Sequence, residues 1–155
     1  MQPAFMEMAI ALATENVRSG AGGPFGAVVV KGGSVVAKAA NAVTSTNDPT
    51  AHAEVLAIRR ACQALNHYQL DGCELYTSCE PCPMCLGAIY WARPAAVYYA
   101  NTRAEAAAAG FDDSFIYEQV PLLPHQREIS MIHLPHPAAH ESFHQWGINS
   151  ARICY

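Results

Sequence analysis

Apolar and polar positions along this chain follow two rhythms, helical in some stretches and strand-like in others. Met6 to Val17 mixes Ala, Met, Leu and Glu, which favours a helix, and Gly20-Ala21-Gly22-Gly23-Pro24 breaks it. Phe25 to Val30 and Ser34 to Ala40 are apolar, β-branched runs split by Lys31-Gly32-Gly33, which predicts a hairpin. Asn41 to Pro49 is polar and turn-rich. Thr50 is placed to cap a helix from about Ala51 to Leu65, where Val55, Ile58, Cys62 and Leu65 recur at helical spacing. Cys73 to Ser78 reads as a strand, and Pro81 opens a helix carrying Cys82, Cys85, Ile89 and Tyr90. A strand at Ala95 to Ala100 and a helix at Arg103 to Ala109 follow. Gly110 to Gln119 is a loop running into a short helix. Pro121 to Pro135 is irregular, with a strand at Glu128 to Leu134, and a last helix covers Ala138 to Asn149. Strands interleaved with crossover helices predict an α/β layered sheet that is partly parallel.

Composition narrows the function classes. The length of 155 residues suits one domain, and 52% apolar content supports a proper core. Only 14% of residues are charged, against a usual ~25%. Either an unusual fraction is buried or another subunit covers part of the surface, so an oligomer is expected. The net charge is −4 and the longest cluster of cations is Arg59-Arg60, so no basic footprint for nucleic acid is present. The first residues lack the basic segment and apolar run of a secretory signal. No apolar run approaches the roughly 18 residues of a membrane span. A cytoplasmic protein with reduced thiols is expected.

The chemistry concentrates in two short segments, His52-Ala53-Glu54 and Pro81-Cys82-Pro83-Met84-Cys85. The imidazole of His52 and the thiolates of Cys82 and Cys85 can hold Zn²⁺ on three sides, leaving the fourth position for water. Glu54, two residues after the histidine, can reach the metal edge without binding it. A lone C-x-x-C also occurs in structural zinc knuckles and redox pairs. A closed structural site needs a fourth ligand, and Cys79 is the only nearby candidate. Cys62 and Cys73 read as small core residues, and Cys154 belongs to no disulfide framework. His136, His140 and His144 recur at helical spacing, which suits either a second metal site or, in the plainer reading, a solvated helix face.

The H-x-E and P-C-x-x-C pairing resembles the signature of zinc nucleobase deaminases, within the cytidine-deaminase-like superfamily. The likeness extends to Gly22-Gly23-Pro24-Phe25-Gly26-Ala27-Val28, to Thr46 through Glu54, to Tyr76 through Arg93, and to Ala109-Gly110-Phe111-Asp112-Asp113-Ser114-Phe115-Ile116-Tyr117. The Gly-Phe-Asp-Asp-Ser segment and the C-terminal aromatic make it similar to the bacterial guanine deaminases. That resemblance implies a single deaminase domain over residues 1–155 with a three-layer αβα fold. The sheet would be mixed and five-stranded, with helices on both faces. It implies conversion of guanine and water to xanthine and ammonia, zinc hydroxide attacking C2 while Glu54 shuttles protons.

The same resemblance implies base binding by Phe25, Asn41, Ala53 and Asp113, with Asp113 as a second proton carrier. It also implies a homodimer that exchanges its C-terminal segments, about residues 136–155, so that Tyr155 comes from the neighbouring subunit. Other small amino-heterocycles, such as a triazine, a pterin or a cytosine relative, present a similar edge to such a pocket. A tRNA adenosine deaminase would need a basic rim. A non-catalytic zinc-stabilised module would have no use for Glu54.

Overall fold

The computed structural model describes residues 2–155. They divide into two compact units, the first ending at Ser114 and the second running from Phe115 to Tyr155. The first contains helix α1 (Pro3–Arg18), strands β1 (Gly26–Lys31) and β2 (Ser34–Ala40), and a one-turn helix α2 (Val43–Thr46). It continues with α3 (Ala53–Leu65), β3 (Cys73–Cys79), α4 (Pro83–Ala92), β4 (Ala96–Asn101) and α5 (Arg103–Ala108). The strand order is β2-β1-β3-β4. β1 is antiparallel to both neighbours, whereas β3 and β4 run parallel across the α4 crossover.

Alternation along β1 builds the layers. Val28 and Val30 join Phe5 and Ala9 of α1 and Tyr76 of β3 on one face. Ala27 and Val29 join Ala53, Ala57 and Ile58 of α3 and Ile89 of α4 on the other. Helices cover both faces, so the strand reads as a continuous apolar run instead of alternating with polar residues. Gly26 lies where α1 crosses the sheet, and a Cβ there would drive into the Ala9 carbonyl and the Ala13 amide.

The second unit holds α6 (Ser114–Gln119), which begins on the last residue of the first, a 3₁₀ turn (Pro124–Gln126) and α7 (Ala139–Ile148). The strand expected at Glu128 to Leu134 does not form. The sheet has four strands, not five, and residues 128–134 are irregular. A strand needs a ladder partner for its backbone groups, and this unit contains no second strand. Ile129, Ile132 and Leu134 have the apolar composition of a strand but are 76%, 85% and 86% exposed. The other boundaries shift by a few residues. α1 starts at Pro3, three residues before Met6, and α3 starts at Ala53 with His52 as its N-cap in place of Thr50. Thr50 instead donates its amide and hydroxyl to Asp48, closing a turn.

Candidate active site

Two helix N-termini of the first unit meet at one point. His52 is the N-cap of α3 and Cys82 the N-cap of α4, with Cys85 in the first turn of α4. Pro81, Pro83 and the extended backbone of Cys82 start α4 abruptly, so the two thiols face the same end. The Nδ1 of His52 lies 3.5 Å from the sulfur of Cys82 and 3.5 Å from that of Cys85. Tetrahedral zinc with bonds of about 2.0 Å to nitrogen and 2.3 Å to sulfur separates those atoms by roughly 3.5 Å. The donor set therefore fits the ion. Among the described residues His52, Cys82 and Cys85 are the one such cluster, and it stops at three ligands. Cys79 turns its thiol to the Thr102 carbonyl at 3.7 Å.

Electrostatics at the tripod follow from this packing. A hydrogen bond from Cys85, against the opposing effect of burial, holds the Cys82 thiol down to about 4, with His52 helping. The hydrogen bond to Cys82, together with burial, pushes Cys85 up. The hydrogen bond with Cys82 raises the His52 imidazole against desolvation.

Glu54 is 4% exposed, and burial raises its carboxyl above the ordinary range. Thr77 on β3 donates its hydroxyl to Oε1 of Glu54 at 3.2 Å, while the Cys85 sulfur lies 3.5 Å from Oε2. The carboxylate is therefore aimed between the sheet and the tripod.

Beside the tripod opens a cavity of about 530 Å³, within the usual range for small-molecule sites. His52, Glu54 and Cys82 line its floor, with Phe25, Asn41 and Asp113 around them. The rings of Phe25 and Phe111 meet edge to face, with centroids 4.9 Å apart. Burial first, and the Cys82 thiolate second, raise the Asp113 carboxyl, while Arg103 pulls the other way. Asn41 is buried, and its Oδ1 accepts from the Val43 amide at 3.2 Å. The site can present a proton carrier, an aromatic wall and polar groups of both senses to a flat heterocycle.

Residues 1–101 match the cytidine and deoxycytidylate deaminase zinc-binding region. The chain is a member of this zinc deaminase family. Guanine deaminase of Bacillus subtilis is 62% identical over 125 residues, 81% of this chain and 80% of that one. The crystal structure of guanine deaminase from Bacillus subtilis superposes with a TM-score of 0.97 at 52% identity, covering 100% of this chain and 99% of its own. The tRNA-specific adenosine deaminase of Aquifex aeolicus is 53% identical over 70 residues, 45% of this chain and 46% of that one. As in the rest of the zinc deaminase family, the ion expected at this donor set is Zn²⁺.

The structure brings His52, Glu54, Cys82, Phe25, Asn41 and Asp113 to one cavity. The side chain of Ala53 is fully buried in the core cluster and does not line it. Tyr155 belongs to the second unit, where it is 69% exposed. His140 and His144 are exposed on α7, and His136 accepts from the Ala138 amide, so the three histidines gather no metal cluster. Sequence reasoning missed Arg103, Phe111 and Thr77. Phe111 stands inside the segment quoted for the family likeness, and its neighbour Asp113 was the available signal. Thr77 and Arg103 occupy ordinary strand and helix positions, and only the tertiary packing aims them at the site.

Proposed function

We propose that this enzyme hydrolyses guanine to xanthine and ammonia. The observation that carries the substrate assignment is the likeness to Bacillus subtilis guanine deaminase, 62% identical over 81% of the chain. The cavity suits that base. Guanine offers N1–H and a 2-amino group as donors, which the Asp113 carboxylate accepts. Asn41 spends its Oδ1 on Val43, so its Nδ2 faces the ring acceptors. Phe25 and Phe111 supply apolar ring surface for the flat base.

His52, Cys82 and Cys85 would hold the zinc, which lowers the pKa of a bound water toward ~7. Glu54 takes a proton from water, delivers it to a ring nitrogen and passes a proton to the amine that leaves C2. Burial suits Glu54 to this exchange, because raising the carboxyl pKa makes it a stronger acceptor for the proton it must carry. Thr77 keeps its Oε1 fixed. Asp113 serves as a second proton carrier at the guanine edge.

The second unit completes the proposal. None of residues 115–155 is buried, and Phe143, Ile148, Ile153 and Tyr155 are 77%, 63%, 63% and 69% exposed. A segment with no core of its own needs another apolar surface. A homodimer exchanging residues from about 136 onward provides one, and it delivers Tyr155 to the partner's pocket. Nucleic acid is not a partner, since the net charge is −4 and Glu54, Glu80, Asp112 and Asp113 outnumber Arg103 around the cavity. Among the described residues no helix is long and apolar enough to cross a membrane. Six free thiols suit the reducing cytoplasm.

Zinc-loaded protein mixed with guanine should release ammonia and xanthine in equal amounts. Turnover of adenine or cytosine derivatives with guanine left intact would overturn the substrate and leave the family standing.

A further inference from the structure

Asn16 stands in the last turn of α1, outside the lining of the cavity, yet it is only 8% exposed. Its Nδ2 donates to the Gly23 carbonyl at 2.8 Å and to the Asn41 carbonyl at 2.8 Å. Its own carbonyl accepts from the amides of Ala21 at 3.0 Å and Gly22 at 3.3 Å. One side chain thus ties together two segments that line the cavity, the glycine loop after α1 and the residue that follows β2. The joint is tight. A Cβ on Gly22 would come within 2.5 Å of the Asn41 carbonyl oxygen and 2.8 Å of Asn16 Nδ2.

Asn41 is held from two other sides. Its amide donates to the Phe25 carbonyl at 2.9 Å, and its Oδ1 accepts from Val43. With the backbone pinned by Asn16 and the oxygen engaged, the direction of its remaining N–H donors is set before any ligand arrives. The two nearest relatives of asparagine do not serve at position 16. Aspartate would set a carboxylate against two carbonyls, and glutamine adds a methylene where even a Cβ on Gly22 finds no room.

We propose that Asn16 is a positioning residue for base binding: through the Asn41 and Gly23 carbonyls it aims the Asn41 amide at the purine without touching the purine. The inference rests on the guanine reading above. It predicts an effect on affinity, because an aimed donor lost equally from ground and transition states changes KM and not kcat.

The test compares Asn16→Ala, Asn41→Ala and the double variant as zinc-loaded full chains, reading kcat, KM for guanine, zinc content and thermal midpoint. Asn16→Ala should raise KM about tenfold, the scale of one buried hydrogen bond, with kcat within about twofold and zinc retained. In the Asn41→Ala background the same change should raise KM by no more than about twofold, since the two residues act in series. Should Asn16→Ala fail to fold, Gly22→Ala forces the same joint apart with Asn16 intact, and the same pattern is expected. Effects that multiply independently, a fall in kcat at constant KM, or an unchanged KM would each overturn the role of Asn16. A wild-type chain inert toward guanine would instead overturn the base reading on which it rests.

Discussion

Glu54, which the proposed mechanism makes the proton carrier, is only 4% exposed, and its surroundings suit it to that role. Burial raises its carboxyl, Thr77 fixes one oxygen and the other faces Cys85. Replacing it with glutamine keeps the shape and removes the titrating group. Glu54→Gln should therefore lower kcat by at least ~10²-fold while zinc, measured by elemental analysis, stays bound. An unaltered rate would refute its role. Asp113 offers a second check. Its carboxyl is raised by burial and the Cys82 thiolate and lowered by Arg103. Removing the cation with Arg103→Gln should push that carboxyl further up. The acidic limb of kcat/KM, which reports the free enzyme, should then move to higher pH. A limb that stays put or moves to lower pH would exclude this coupling. His52, Glu54, Cys82 and Cys85 were legible because metal chemistry demands those residue types at a fixed spacing. Arg103 and Thr77 were not, because any residue of similar propensity could occupy a helix start or a strand interior. Their significance arises only where β3 meets Glu54 of α3 and α5 reaches the cavity that Glu54 lines.

At the scale of elements, the sheet and its helices were readable because each carries its own period or punctuation. β1 was found from its β-branched run, α3 from apolar spacing and α4 from the proline at its mouth. The one-turn α2 was not, since Val43 to Thr46 has a polar composition that reads as turn, and four residues are too few for a period. Nor was the role of Gly26, which its sequence neighbours do not reveal. It lets the backbone of α1 lie directly on β1, against the Ala9 carbonyl and the Ala13 amide. Gly26→Ala should lift that helix and lower the free energy of unfolding by about 1–3 kcal/mol, measured by urea titration. A loss below about 0.5 kcal/mol would mean that the contact can relax. The absent fifth strand marks the opposite limit. Residues 128–134 have strand composition, but composition cannot supply the ladder partner that pairing requires.

For the whole molecule, the proposed exchange of tails has a distinctive consequence. In a mixed dimer, a Glu54→Gln subunit with an intact tail faces a Tyr155→Ala subunit with an intact centre. If tails cross, the second subunit's centre receives the first subunit's Tyr155, and one good site per mixed dimer results. Unfolding and refolding the two inactive variants together should thus restore activity, and a mixture as inactive as its parts would show that each tail serves its own subunit. The low charged fraction already pointed to a covered surface, without saying which part of the chain supplies it. The four strands of the sheet, the longer helices, the candidate metal ligands and the proposed proton carrier are inscribed in the amino-acid sequence by itself, because periodicity and ligand spacing are local properties. Tertiary structure alone decided that Phe111 meets Phe25, that Thr77 braces Glu54 and that Asn16 pins Asn41. Those pairs lie 86, 23 and 25 residues apart, and such contacts exist only once the layers have packed.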